Sequence, residues 1–298
     1  MNIATLFNAL PGACAQGLIW GLMAVAVYIT YKILDIADMT VDGTMCTGGA
    51  VCVMMMLSGH NVWVSMLVAV LAGMLAGLVT GVFHTVMGIP AILSGILTQL
   101  ALYSVNLRIL GSSNQAISVR KYDLLVTLLH IPETILIAGI FTVVLICVLY
   151  WFFGTELGCS LRATGCNNNM ARAQGINTNF AKVLGLMISN GIVALCSALY
   201  SQYQGFADIN MGRGAIVIGL AAVIIADVIF GKVFKNFGLK LLGVSIGAVL
   251  YYLVIQIVLW LGLNTDDLKL LTALIVGIFL SIPTMRAKLF AMIKRKAA

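Results

Sequence analysis

Long apolar segments separated by short polar connections constrain this chain more than any other feature. Each crossing of a bilayer needs roughly 20 apolar residues, and hydropathy predicts nine such segments. They cover residues 10–34, 45–57, 62–87, 90–110, 135–153, 180–203, 215–230, 239–263 and 268–285. The second and seventh are too short to span comfortably as straight helices, which predicts broken or re-entrant elements.

The composition excludes a soluble domain. Of 298 residues, 61% are hydrophobic and 9% are charged, more apolar surface than a water-soluble fold of this length can bury. No polar stretch is long enough for a separate domain. We therefore predict an all-α polytopic membrane protein forming a single unit, residues 1–298, with about nine transmembrane segments.

The placement of lysine and arginine predicts the orientation. Positive residues concentrate after the last segment, in the 231–240 loop and in the polar stretch 158–177, which alternating crossings place on one side. By the positive-inside rule that side is cytoplasmic, so the C-terminus lies inside and the N-terminus outside. The first segment would act as an uncleaved anchor. The net charge of +7 is explained by topology and anionic lipid headgroups, without nucleic acid.

A short internal repeat favours a transporter. Residues 36–40 (IADMT) resemble residues 206–210 (FADIN) at an offset of 170, and Gly49 and Gly219 share that offset. Five crossings separate the copies, so they would lie in opposite orientations. We predict an inverted repeat with halves at about 10–153 and 180–285, a common plan among transporters.

Polar residues at the repeated breaks are candidates for the translocation path. Polar side chains at membrane depth are costly unless partners or a wet cavity satisfy them. We predict that path or gate residues are Asp38, Asp42, Thr44, Asn106 and Asp208. The alternative is that the aspartates at the breaks only cap the ends of broken helices. Asp227 lies about one turn before Lys232, which predicts an interfacial ion pair.

Residues 158–177 (GCSLRATGCNNNMARAQGIN) form a polar island between two apolar segments. Its glycines can turn the chain at either end of a short helix built around residues 167–173. A basic, folded element of this kind predicts docking to another subunit. The alternative is that the stretch is an ordinary cytoplasmic loop. The candidate coupling residues are Leu161, Arg162, Ala163, Gly165, Asn167, Ala171, Arg172, Gly175, Ile176 and Asn177.

The remaining motifs indicate helix packing, and common catalytic and metal-binding motifs are absent from the sequence. Gly73, Gly77 and Gly81 are spaced four apart, as are Gly243 and Gly247, which predicts close helix packing. The seven cysteines show no CxxC spacing, so we predict neither disulfides nor a metal site. The sequence also lacks a phosphate-binding GxxxxGK[ST] loop and the HExxH and GxSxG motifs, which argues against an enzyme.

Five stretches carry a resemblance that covers most of the chain. They are residues 34–43 (LDIADMTVDG), 88–95 (GIPAILSG), 102–106 (LYSVN), 161–177 and 204–208 (QGFAD). The chain resembles the membrane permeases of ABC importers in the branched-chain amino-acid and ribose permease superfamily. Within it, the pattern looks similar to permeases of tryptophan or tyrosine uptake systems.

The resemblance implies a function and partners. Two permeases would pair with two ATPase subunits, which carry the ATP and Mg²⁺, and would receive substrate from an extracytoplasmic binding protein. Residues 158–177 would be the coupling segment. We expect ATP-driven, alternating-access import of an aromatic or branched-chain amino acid across a bacterial cytoplasmic (inner) membrane.

An ion-coupled secondary transporter is the alternative, because the inverted repeat would suit it equally. It would need buried acids that exchange ions, with essential roles for Asp208 and Asp227. The substitution Arg162→Glu would uncouple an ABC permease and leave a secondary transporter nearly intact.

Overall fold

The computed structural model describes residues 3–119 and 121–262, together with positions 270, 273, 274, 276–278 and 281. The predicted segment 268–285 and the basic C-terminal residues therefore lie mostly outside the described residues. The remaining eight predicted segments are all helical.

Ten α-helices and two short strands make up the described chain. The helices are α1 (Ile3–Tyr28), α2 (Val41–Leu57), α3 (Val62–Thr85), α4 (Ala91–Leu110), α5 (Ile131–Gly154), α6 (Glu156–Cys166), α7 (Asn168–Ala173), α8 (Thr178–Gln204), α9 (Ala215–Phe230) and α10 (Phe237–Trp260). The strands β1 (Asn114–Ala116) and β2 (Phe206–Asp208) pair antiparallel, a small addition to the predicted all-α architecture. A turn of π-helix, Ile29–Ile33, extends α1.

Six helices among the described residues are long and apolar enough to cross a membrane. They are α1 with its π-helical turn, α3, α4, α5, α8 and α10. The helices α2 and α9 are shorter, with 17 and 16 residues. The prediction that the second and seventh segments are short is therefore confirmed, whereas nine full crossings remain a prediction.

The centre of the bundle is built on α8. Glycines of α3 lie directly against it: a Cβ at Gly77 would overlap the Leu186 carbonyl oxygen, and one at Gly81 would lie 3.0 Å from Val183 Cα. The predicted packing role of the α3 glycines is thereby confirmed. By contrast α4 and α5 are mostly exposed, as expected for helices that face lipid or another subunit.

Side-chain contacts fix the directions of the two short helices. Thr44 bonds Asn190, and Gly48 lies against Ala194, so α2 runs parallel to α8. The helix α8 runs antiparallel to α1, because Ser189 bonds Ala26 and Cys196 bonds Ile19. The helix α9 runs parallel to α1, because Gly219 lies against Val27 and Asp227 pairs with Lys32. It follows that α2 and α9 run in opposite directions.

Candidate translocation path and coupling segment

The first break, residues 34–40, is held by a buried polar network. Asp38 is 1% exposed, and its Oδ2 accepts a 2.7 Å hydrogen bond from Asn190 Nδ2. The Asn190 Oδ1 in turn accepts a 2.7 Å bond from Thr44 Oγ1. The break, α2 and α8 are thus tied together, and truncating one member would leave buried polar groups unpaired.

A chain of threonine hydroxyls continues this network. The Thr40 and Thr80 hydroxyls lie 2.7 Å apart, and Thr80 donates to Thr98 over 2.9 Å. All three residues are buried, and they belong to the first break, α3 and α4. The break is therefore anchored on two further helices by buried polar contacts.

Both repeated breaks contain the same local hydrogen bond. The backbone N–H of Thr40 donates to Asp38 Oδ1 at 2.9 Å, and that of Asn210 donates to Asp208 Oδ1 at 2.6 Å. An aspartate that accepts from the residue two positions on forms an Asx turn, which competes with helical bonding and ends a helix locally. The two copies therefore share sequence, local geometry and, with α2 and α9, opposite direction. The inverted symmetry of the two complete halves remains a prediction.

The first turns of α2 and α9 meet at Asp42. Its Oδ2 accepts from the Gly214 N–H at 3.0 Å, and its Oδ1 accepts from the Ile216 N–H at 3.1 Å. Gly214 has φ of 85°, a left-handed conformation that glycine adopts without strain and that directs the chain into α9. The carboxylate on α2 therefore satisfies free N–H groups of α9 and lies at the positive end of its dipole.

A cavity of about 290 Å³ opens beside this junction. That volume lies at the small end of the range for pockets that hold small organic molecules, roughly 300–1,000 Å³. Its walls come from α2, α4 and the segment before α9, and consist of Asp42, Gly43, Cys46, Gln99, Leu100, Tyr103, Asn106, Ile209 and Arg213. The lining combines apolar surface with a carboxylate, a guanidinium and two amides.

The structure brings only some of the five predicted path residues together. Asp42 and Asn106 line the cavity, and Asn106 Nδ2 donates to the Gly43 carbonyl oxygen at 3.3 Å. Asp38 and Thr44 belong to the buried network behind it. Asp208 does not line the cavity, although its carbonyl oxygen accepts a 3.6 Å bond from the Cys46 thiol. Their roles in transport remain a prediction.

Seven of the nine cavity residues were not among the predicted path residues, and Tyr103 and Arg213 are two of them. Tyr103 lies one helical turn beyond Gln99 on α4, and that i, i+4 spacing was the available signal. Arg213 carried no usable sequence signal, since the position of its guanidinium depends on the fold of the 205–214 segment.

The polar island folds as two helices, α6 and α7. The predicted short helix is confirmed, because α7 covers Asn168–Ala173. Asn167 caps it, accepting from the N–H groups of Asn169 and Met170 at 3.1 Å each. Gly175, with φ of 82°, ends it. Asn177 then caps α8 through a bond from the Phe180 N–H.

Several of the predicted coupling residues face the bundle. Leu161 and Ala171 are buried, and Gly165 lies so close to the end of α1 that a Cβ there would overlap the Ile33 carbonyl oxygen. The Arg162 guanidinium lies 4.3 Å from the Phe237 ring centroid and 5.3 Å from that of Phe153. These residues hold the pair of helices α6 and α7 (residues 156–173), called the hairpin below, against the membrane helices.

The outward face of the hairpin carries residues that sequence reasoning did not select. Asn169, Met170, Ala173 and Gln174 are exposed, with Met170 at 63%. Of the predicted set, Asn167, Arg172, Gly175 and Asn177 are exposed, while Ala163 and Ile176 are half-buried. Arg172 is also held locally, its Nε donating to Thr178 Oγ1 at 2.9 Å. The sequence signal for Met170 was a large apolar residue within an otherwise polar stretch.

The predicted pair of Asp227 with Lys232 is wrong. Asp227 pairs instead with Lys32, at 2.9 Å between Oδ2 and Nζ. The reason is tertiary, since α9 packs along α1 and brings residues 195 positions apart together. Both side chains are about half exposed, so the pair contributes little on its own.

The protein has helices long enough to cross a membrane, and two short helices of opposite direction that meet beside a polar-lined cavity. These features define a polytopic membrane transport protein. The chain belongs to the family described as "Branched-chain amino acid transport system / permease component", whose family profile matches residues 11–284. It is thus a permease subunit of the ABC importer class that the five sequence stretches resemble.

Individual relatives differ in substrate. The chain is 39% identical to a tyrosine transport system permease protein of Clostridioides difficile, over 89% of this chain and 88% of the relative. It is 25% identical to a fructose import permease protein of Bifidobacterium longum, over 99% and 85% of the two chains. Among solved structures, PsaBC from Streptococcus pneumoniae, bound to a Fab, is similar with a TM-score of 0.43 and 15% identity, covering 86% of this chain and 95% of that one.

Proposed function

We propose that this chain is the membrane permease of an ATP-driven importer for an amino acid, aromatic or branched-chain, in a bacterial cytoplasmic membrane. The junction at Asp42 carries the proposal. There a carboxylate on one short helix holds the start of an oppositely directed one beside a polar-lined cavity. Opposed half-helices that meet at a cavity are the elements on which alternating access is built.

An amino-acid substrate is supported by two observations. The cavity carries both a carboxylate, Asp42, and a guanidinium, Arg213, which complement the ammonium and carboxylate of a zwitterion. In addition, the relative at 39% identity is named for tyrosine transport. The importer would receive its substrate from an extracytoplasmic binding protein, and two copies of this chain would form the path.

Uptake measurements in cells test the function and the substrate class together. Cells that lack the chain should lose import of labelled tyrosine or leucine and regain it on complementation. Import should persist when proton and sodium gradients are collapsed while ATP is maintained. Import that follows the gradients would contradict ATP coupling, and restored fructose uptake without amino-acid uptake would contradict the substrate class.

Docking of the ATPase subunits is assigned to the α6–α7 hairpin. Its bundle-facing side is anchored by buried contacts, and its outward face carries an exposed methionine. Movement of a docked subunit would therefore pass through α6 to the end of α1, where Gly165 lies against Ile33.

Met170→Glu tests this docking face. A charge at a 63% exposed position should leave folding intact, yet it should greatly weaken docking, because Met170 is a large apolar side chain exposed on this face. We expect the ATPase subunits to be lost from the purified complex, as measured by native mass spectrometry. Leu129→Glu is the control, since Leu129 is 64% exposed and belongs to the connection between α4 and α5. Two ATPase subunits retained in Met170→Glu would contradict the assignment.

A further inference from the structure

A second cavity lies at the end of the bundle that carries the coupling hairpin. It has a volume of about 450 Å³ and is formed by the end of α1, α6 and the start of α10. Its lining residues are Tyr28, Lys32, Ile33, Arg162, Cys166, Lys235, Asn236, Phe237 and Lys240. It is separate from the cavity at Asp42, with which it shares no lining residue.

Positive charge is in excess in this second cavity. Four of its lining residues are cationic, and none is acidic. Asp227 pairs with Lys32 from the neighbouring helix, which leaves the charges of Arg162, Lys235 and Lys240 without an ion pair among the described residues. The Arg162 Nε is buried and has no hydrogen-bond partner there. The cavity therefore offers several charge-assisted donors to an anion.

The geometry of the cavity wall adds further donors. The 24-residue helix α10 begins at Phe237, and its N-cap Asn236 makes no side-chain capping bond. The first-turn N–H groups of a long helix carry positive partial charge and bind phosphate when free. The Arg162 guanidinium is meanwhile fixed against the Phe237 ring, which orders one cation before any ligand arrives.

The surroundings place this cavity at the membrane surface. Tyr31, Tyr150 and Trp151 are exposed by 43%, 59% and 72%, and exposed aromatic side chains concentrate at the headgroup level of a bilayer. Exposed apolar side chains flank the start of α10 and the end of α9, namely Ile229, Val233, Leu239 and Leu242. A phosphate in the cavity would thus have acyl-chain contacts beside it.

We propose that this basic cavity binds the phosphate headgroup of an anionic phospholipid, which bridges α6 of the coupling hairpin to α1 and α10. Clusters of lysine and arginine between helices at a membrane surface recognise such headgroups. Because Arg162 and Cys166 belong to the hairpin and Lys235 and Lys240 to the α9–α10 corner, the bound lipid holds the hairpin to the membrane helices. Lipid binding at this cavity does not depend on which substrate the protein transports.

The test measures lipid retention by the purified, detergent-solubilised complex. Native mass spectrometry would follow titrations with phosphatidylglycerol and with zwitterionic phosphatidylcholine. We expect selective retention of phosphatidylglycerol. In the double variant Lys235→Gln/Lys240→Gln its binding should weaken about 25-fold, because each cation near an anionic headgroup contributes roughly fivefold. Both lysines are exposed, so the variant should fold.

Controls separate the possible results. Lys121→Gln makes the same charge change at an exposed lysine between β1 and α5, and it should retain phosphatidylglycerol. Lys235→Gln alone provides a milder variant should the double one fail to purify. Competition by inorganic phosphate at micromolar concentration, without selective lipid retention, would identify a free phosphate compound as the ligand instead of a lipid. Equal retention of phosphatidylglycerol by the wild-type and double-variant complexes, or no selectivity over phosphatidylcholine, would overturn the proposal.

Discussion

Replacing Gly165 with alanine is expected to lower ATP-driven uptake sharply. The new methyl group would overlap the Ile33 carbonyl oxygen, and a backbone atom cannot rotate away as a side chain can. Overpacking of this kind costs about 1–3 kcal/mol or more and would be relieved by moving α6 off the end of α1. Because that contact joins the hairpin to the membrane helices, we expect uptake to fall at least about tenfold.

A matched control is available on the neighbouring helix. Gly154 ends α5 beside α6, and a Cβ there would meet nothing within 4 Å. Gly154→Ala should therefore keep its uptake. Uptake rates should be divided by the amount of membrane-inserted protein, so that loss of folding is separated from loss of coupling. Normal uptake in Gly165→Ala would show that this contact does not transmit the movement.

Replacing Asp42 with alanine should lower uptake to a comparable degree, because it disrupts the junction between α2 and α9. The substitution removes the acceptor of the Gly214 and Ile216 N–H groups. Hydrogen bonds to a charged group contribute roughly 1.5–3 kcal/mol each in buried settings, and less here because Asp42 is half-buried. We expect an uptake loss on the order of tenfold to a hundredfold.

Asp42→Asn distinguishes the hydrogen bonds from the charge. Asparagine keeps one acceptor oxygen but loses the negative charge at the positive end of α9, so uptake should be intermediate. Asp35→Asn is the control, because Asp35 is exposed and its φ of 55° is a conformation that asparagine also adopts. Full uptake in Asp42→Ala would remove the junction from the mechanism.

Local patterns predicted much of the fold. Eight apolar segments became helices because each one's hydropathy is a property of contiguous residues. The short helix α7 was recognisable from Asn167 and Gly175, since caps act within a few positions of the helix they bound. The opposed direction of α2 and α9 follows equally from the order of crossings.

Contacts between distant residues were not predictable in this way. The sequence indicated Asp42 as a polar residue near a break, but its partners lie 172 and 174 positions away. It likewise paired Asp227 with its neighbour Lys232, whereas the packing of α9 along α1 selects Lys32. Arg162 was assigned to the docking surface from its charge, although its ring contacts turn it inward.

The sequence by itself determined that this chain is a membrane protein of the permease family with a short helix in its polar island, because hydropathy, capping and family motifs are local properties. Only the tertiary structure decided which polar groups meet. It formed the cavity at Asp42 and gathered four cations at the base of the hairpin, because those groups come from helices whose relative positions depend on packing along the whole bundle.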